Sequence, residues 1–366
     1  MNAHAVVVEE PHKLNVRELV LSEPTDNDLV VDIHWSGIST GTEKLLWSGR
    51  MPMFPGMGYP LVPGYESVGR VAQAGRSSNY KEGELVFVPG AACFGEVKGL
   101  FGGAASRVVI PALRVVRVSD QLGERGTLLA LAATAYHANV VPGSTPGTTP
   151  PELIIGHGVL GRMIARLAVI AGGKPVVWET NPDRRAGSHG YDVVDPKDDT
   201  RSNYRSICDV SGDPKILDSL IARGAPGCEI VLAGFYDQPL SFSFAPAFLR
   251  ETRIRVAAQW KPQYRSASSR TWIGRRRFLY ATVICFTTRS MPCQLRSCMD
   301  QHCCLRCMAQ RFLLLVVTAV SVRLNKLLIA VQRLNVQPCS GVGPWALTPR
   351  WNRYTVGRGG LLCCVH

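Results

Sequence analysis

The stretch ELIIGHGVLGR (152–162) constrains the fold of this chain more than any other. An apolar run enters Gly156-x-Gly158-x-x-Gly161, and the helical pattern GRMIARLAVIAGG follows at once. PVVWE (175–179) then reads as a second strand, so the whole is a βαβ unit of a parallel sheet. In such a unit the first glycine permits a tight turn, the second lets the backbone approach a pyrophosphate, and the third lets the helix pack closely on the strand. The helix N-terminus faces the phosphate charge. Gly156, Gly158, Val159, Leu160 and Gly161 are therefore expected to cradle a dinucleotide. Glu179 closes the next strand, 18 residues past Gly161, where an acid accepts from the adenosine ribose and repels a 2′-phosphate. NAD is the expected cofactor, although Arg184 and Arg185 stand close enough to receive such a phosphate. Ser211 in CDVSG and Gly234 in LAGF end later strands, where sheets of this kind bind their ligands.

Around this unit the chain divides by its local patterns. AVVV (5–8), DLVVDIHW (28–35), ELVFVPG (84–90) and SRVVIP (106–111) read as short strands punctuated by Gly and Pro, a β-rich domain over 1–123. GERGTLLALAATAYHANVV reads as helix, and after the βαβ unit come strands at ICDVSG and CEIVLAGF with a helix, PKILDSLIARG, between them. Residues 124–263 are thus expected to form an α/β dinucleotide-binding domain. The opening MNAHAVVVEEPHK has neither a basic start nor a long apolar core, which argues against a secretory leader.

Residues 264–366 have a different composition. They hold 15 of the 41 Lys+Arg, one acid (Asp300) and nine of the 12 cysteines. The rest of the chain is left with 26 basic and 27 acidic residues, so the overall charge of +13 belongs to the tail and not to a nucleic-acid groove. Cys93, Cys208 and Cys228, the three that remain, suit a reduced cytoplasmic protein. HCCLRC (302–307) lacks a second ligand pair, and FLLLVVTAVSV (312–322) is too short to span a bilayer. Folded surfaces mix both signs of charge. This tail does not, and it is expected to be an out-of-frame reading of the gene's end that leaves the nucleotide domain incomplete.

SGISTGTE (36–43), VPGYESVGRV (62–71), EGELVFVPG (82–90), TAYHA (134–138) and the glycine fingerprint together resemble the medium-chain dehydrogenase/reductase superfamily over roughly residues 1–262. The resemblance implies a GroES-like catalytic domain followed by a Rossmann doubly wound sheet, and an NAD-dependent alcohol dehydrogenase that is often oligomeric. Within the superfamily, GISTGTEKLLWSGRMPMFPGMGYPLVPGYESVG is most similar to the dehydrogenases of bacteriochlorophyll synthesis. That implies oxidation of the 3-(1-hydroxyethyl) group of a bacteriochlorophyllide to 3-acetyl.

Zinc-dependent members carry a cysteine near positions 38–41 and a histidine where this chain has Tyr65. Here those places read Ser39-Thr40-Gly41 and tyrosine, and residues 80–120 hold only Cys93 where a structural-zinc lobe has four cysteines. The resemblance therefore implies a zinc-independent member with no metal. Thr40, Thr42, Glu43, Tyr65 and Glu66, with Ser39 beside them, are the hydroxyls and acids available to receive the alcohol's proton. Tyr65 reads equally as a packed aromatic, and His137 as a proton relay or a structural helix residue. The run MPMFPGMGYPL, with Met51, Met53, Phe54, Met57 and Tyr59, offers soft, flat groups to a planar tetrapyrrole, or else a proline-ordered loop on the core; Trp35 and Trp47 suit either. The competing readings are a dehydrogenase of a small polyol or sugar alcohol, and a non-functional product of the tail. Neither nucleic acid nor an integral membrane segment is expected; peripheral membrane contact and a homo-oligomer are compatible with the sequence.

Overall fold

A computed structural model describes residues 1–53, 55–139 and 150–257. Phe54 and the tail, on which two of the expectations above fall, lie outside them.

The first lobe is built from β1 (Asn2–Glu10), β2 (Lys13–Val20), β3 (Asp28–Ser36), α1 (Thr42–Ser48), β4 (Leu61–Val62), β5 (Ser67–Ala74), β6 (Leu85–Val88), β7 (Lys98–Gly99), β8 (Arg107–Pro111) and β9 (Val116–Arg117). They make two sheets, β2-β1-β4-β7 and β8-β3-β5-β6-β9. Stretches of β1 and β3 are buried on both faces, and β2 alternates at the edge. Val6, Val31, Val86, Val108 and Ile110 meet in one core, while Lys13, Arg17 and Glu18 face solvent along β2. Of the expected strands, 28–35, 84–90 and 106–111 are all present.

The second lobe contains α2 (Leu129–Ala138), β10 (Leu153–Ile155), α3 (Val159–Ile170), β11 (Val176–Trp178), β12 (Asp192–Val194), β13 (Tyr204–Asp209), α4 (Leu217–Arg223), β14 (Gly224–Leu232), α5 (Phe244–Leu249) and β15 (Arg253–Val256). Its strands run parallel in the order β12-β11-β10-β13-β14-β15. This is the doubly wound order, with the switch point between β10 and β13. Six parallel strands lie within the described residues. Successive residues alternate between two cores. Ile154, Val177, Cys208 and Val231 face α2 and α3, whereas Leu153, Trp178, Ile207 and Ile230 face α4. Burial on both faces is why these strands read as continuous apolar runs.

The lobes are joined by a shared core. Tyr65, Val68, Leu85 and Phe87 of the first pack with Leu129, Ala132, Ala135 and Met163 of the second. Arg50 and Asp237 add an ion pair between them at 3.2 Å. The expected helix at 123–141 begins as a 3-10 turn, Gly123–Leu128, because Gly126 is pressed against Val118 and Val68; a Cβ there would lie 3.0 Å from Val118.

Candidate active site

At the switch point the fingerprint glycines each do a separate job. Gly156 has φ +99°, and its N–H donates to the Trp178 carbonyl at 2.8 Å, turning the chain out of β10. A Cβ on Gly161 would lie 1.9 Å from the Gly156 carbonyl oxygen, so only glycine lets α3 sit this close. Gly158, the residue ahead of α3, would meet nothing within 4 Å if given a Cβ, and no side chain caps the helix. The first N–H groups of α3, including those of Val159 and Leu160, are thus open to an anion, and the site fits the pyrophosphate of a nicotinamide dinucleotide.

Glu179 sits just after β11 and is buried. One carboxylate oxygen accepts from the His157 N–H at 3.1 Å and the other from the Asn181 N–H at 2.9 Å. Each oxygen keeps a lone pair for a ribose hydroxyl. Arg185 is spent elsewhere, donating to Asp195 at 2.6 Å and to the Glu179 and Thr180 carbonyls. The residues behind the loop escaped sequence reading. His157 lies fully buried inside the fingerprint, with Nδ1 2.6 Å from the Arg184 carbonyl and Nε2 2.9 Å from the Tyr191 hydroxyl. A carbonyl only accepts, so Nδ1 carries the proton and Nε2 accepts from tyrosine. Burial, with the nearby Arg162 charge, pulls its pKa down to about 4, and the ring is neutral at any physiological pH. Arg162 clasps the same loop, donating to the His157 and Arg184 carbonyls at 3.0 and 2.9 Å. Across the switch point Asp209, also buried, accepts from the Ser211 N–H at 2.9 Å and from the Tyr236 hydroxyl, while its carbonyl accepts from Gly234. Asp209 thus ties Ser211 and Gly234 together at the ends of β13 and β14.

The first lobe contributes acids and hydroxyls. The Ser39 hydroxyl accepts from the N–H groups of Gly41 and Thr42 at 3.3 and 3.2 Å, which sets the start of α1 and turns Glu43 inward. Tyr65 and Glu66 precede β5. Gly64, at φ +97°, brings that turn against the Ala104 backbone. Glu43, Tyr65 and Glu66 are all buried, and Tyr65 meets Phe101 edge-on at 5.4 Å. Burial raises Glu66 to about 7. Burial together with the Glu66 charge raises Glu43 to about 8. Tyr65 is held well above its ordinary value by burial and by both carboxylates, opposed by hydrogen bonding with Ser39 and Thr42. Thr40 is exposed. His137 lies in the last turn of α2, half-buried.

The methionine-rich run divides. Met51 is buried among Leu45, Leu46, Leu61 and Leu100, with Met57 and Tyr59 packed against them. The Tyr59 hydroxyl donates to the Leu46 carbonyl. Met53 points outward, 82 % exposed. Trp35 is half-buried and its indole N–H has no partner among the described residues; Trp47 meets His12 edge-on at 5.7 Å. Among the described residues, no group of three or more His, Cys, Asp or Glu side chains could hold a metal, and no helix is long and apolar enough to cross a membrane.

Comparison with known proteins agrees with this layout. Residues 25–120 match the Alcohol dehydrogenase GroES-like domain family. The chain is 53% identical over 269 residues to the 2-desacetyl-2-hydroxyethyl bacteriochlorophyllide A dehydrogenase of Cereibacter sphaeroides, covering 72% of this chain and 83% of that protein. It is also 53% identical over 270 residues to the protein of the same name from Rhodobacter capsulatus, covering 73% and 85%. In fold it is similar to the acetophenone reductase of Geotrichum candidum solved with NAD, at 17% identity and a TM-score of 0.61, covering 76% of this chain and 88% of that one. The chain belongs to the medium-chain dehydrogenase/reductase superfamily, in the family of the bacteriochlorophyllide A dehydrogenases.

Proposed function

We propose that the protein is an oxidoreductase that converts the 3-(1-hydroxyethyl) group of a bacteriochlorophyllide to 3-acetyl, with NAD as hydride acceptor. The observation that carries this reading is the 53% identity that extends over 83% of a relative named as a dehydrogenase of a hydroxyethyl bacteriochlorophyllide. Two features of the cleft support it. The dinucleotide cradle at Gly156–Gly161 and the acid–hydroxyl group of Tyr65 and Glu66 belong to lobes that share one core. The loop with Met53 and Met57 lies next to α1 and supplies apolar surface for a flat ring, with Met51 and Tyr59 holding it in place.

The preference for NAD rests on Glu179, whose charge repels a 2′-phosphate, and on Arg185, which is already paired with Asp195. For the chemistry, we assign to Tyr65 the hydrogen bond to the alcohol oxygen, with Ser39 and Thr42 beside it, and to Glu66 the receipt of the proton. This set is all oxygen donors without thiolate or imidazole, which fits a zinc-independent reaction. Activity that survives exhaustive chelation supports that reading, and activity restored only by added zinc contradicts it. We place the protein in the cytoplasm, because Cys93, Cys208 and Cys228 are free thiols; recovery with the membrane or periplasmic fraction would speak against this. Residues 264–366, with their 15 basic residues and one acid, we read as out-of-frame translation, which resequencing of the gene tests directly. The function is tested by incubating the full chain with NAD and the 3-hydroxyethyl pigment. Formation of the acetyl pigment with NADH supports it, whereas turnover of small polyols and not of the pigment sinks it.

A further inference from the structure

Glu43 and Glu66 are both buried, come from different elements, and the Glu66 charge acts on the Glu43 carboxyl. Glu43 comes from the first turn of α1, and Glu66 from the turn ahead of β5, where its carbonyl accepts from the Gly37 N–H at 2.8 Å. The Glu66 side chain folds back over Gly37. A Cβ on that residue would lie 2.4 Å from Glu66 Oε2 and 2.9 Å from its Cβ. Gly37 is not among the glycines with positive φ, so the site needs its missing side chain and not its backbone freedom. Three of the four carboxyl oxygens, both of Glu43 and Oε1 of Glu66, have no hydrogen-bond partner among the described residues. The titratable groups that act on the two carboxyls are each other and Tyr65, with the hydroxyls of Ser39 and Thr42 beside them; no cation figures among these groups.

Two buried carboxylates on which no cation of the described residues is seen to act oppose, when both are ionised, burial and each other. We propose that Glu43 and Glu66 hold one proton between them at neutral pH, and that Glu66, the ionised member, takes the alcohol's proton through the Tyr65 hydroxyl. Gly37 is the positioning residue that admits the Glu66 carboxyl group. This rests on the dehydrogenase reading above. The substrate O–H bond breaks and its proton passes to the Tyr65 oxygen, while the Tyr65 proton passes to Glu66. The carbinol C–H bond breaks, its hydrogen leaves with the electron pair as hydride to the nicotinamide cofactor, and the C=O bond forms. One alcohol thus yields one ketone, one reduced cofactor and one proton held on Glu66, which water later removes. The raised values of both carboxyls agree with a pair that titrates in two steps near neutrality.

Infrared difference titration of the full chain without substrate tests the shared proton. The expected result is a protonated-carboxyl band at pH 7 that is lost on raising the pH to about 9. Glu43→Gln and Glu66→Gln should each shrink the band and shift its midpoint, and the double variant should remove it, which separates it from Asp209, another buried acid. In kinetics, Glu66→Gln should lower kcat by about 100-fold or more. Gly37→Ala should displace the Glu66 carboxyl, lower kcat by about tenfold or more, and move the acid limb of kcat towards the ordinary carboxylate range, leaving NADH binding unchanged. Absence of a pair-derived band at pH 7 in cooperatively melting protein overturns the shared proton, whatever the variants do. A Glu66→Gln enzyme within twofold of wild type overturns the catalytic half. Because the titration uses no pigment, a band present in a protein that does not oxidise bacteriochlorophyllide would reject the proposed function and leave the shared proton standing.

Discussion

At the scale of single residues, the site depends on buried acids held in two opposite ways. Glu179 is satisfied by two backbone N–H groups, so Glu179→Ala leaves both donors unpaired. The expected cost is about 1–3 kcal/mol of stability, with NADH affinity about tenfold weaker and the preference for NAD over NADP reduced. Thermal melts and NADH fluorescence titrations measure these. Glu43 is the reverse case, with neither carboxyl oxygen partnered and its pKa raised from 4.5 to about 8. A carboxyl whose folded pKa exceeds its unfolded value binds more protons folded than unfolded between the two. Its contribution therefore favours the fold at acid pH and is lost as pH rises from about 4.5 to 8. Glu43→Gln should accordingly raise stability at pH 8 by about 1–3 kcal/mol, change it little at pH 5, and flatten the pH dependence of Tm. A Tm at pH 8 lower in the variant than in wild type would contradict this.

At the scale of elements, the two inner glycines of the fingerprint separate folding from binding. Gly161→Ala forces a methyl into the Gly156 carbonyl, and a loss of about 2–3 kcal/mol is expected from such overpacking. Gly158→Ala meets open space, so Tm should stay within about 1 °C of wild type while NADH affinity falls tenfold or more. The methionine loop divides likewise. Met51→Ala opens the small core around Leu46 and Leu61 and should cost about 2–5 kcal/mol. Met53→Ser should leave the melt unchanged and raise KM for the pigment about fivefold. Fingerprint, βαβ unit and main strands were legible because their signals are local: β-branched apolar runs bounded by Gly and Pro on β3 and β8, continuous apolar runs on β10 and β13, fixed glycine spacing. The helix α1 was not, since seven residues starting behind a serine turn show no periodicity. β12 and β15 were missed because edge strands lack the apolar runs of the sheet centre. The approach of Glu66 to Gly37 could not be read at all, because it joins two turns that only the pairing of β3 with β5 brings together.

At the scale of the whole molecule, one core spans both lobes, and the polar link between them is slight. Arg50 is half exposed, so breaking its pair with Asp237 should cost less than about 1 kcal/mol. Cleft geometry therefore rests on the packing of Tyr65, Val68 and Phe87 against α2 and α3. The resemblance seen in sequence ran through this assembly to about residue 262 and agrees with the relatives found. The measurement that tests the central claim most directly is the reaction itself, with the full chain, NAD and 3-hydroxyethyl bacteriochlorophyllide a. The account predicts the spectral shift of 3-acetyl pigment with one NADH formed per acetyl group. Folded, NADH-binding protein that leaves the pigment unchanged would contradict it.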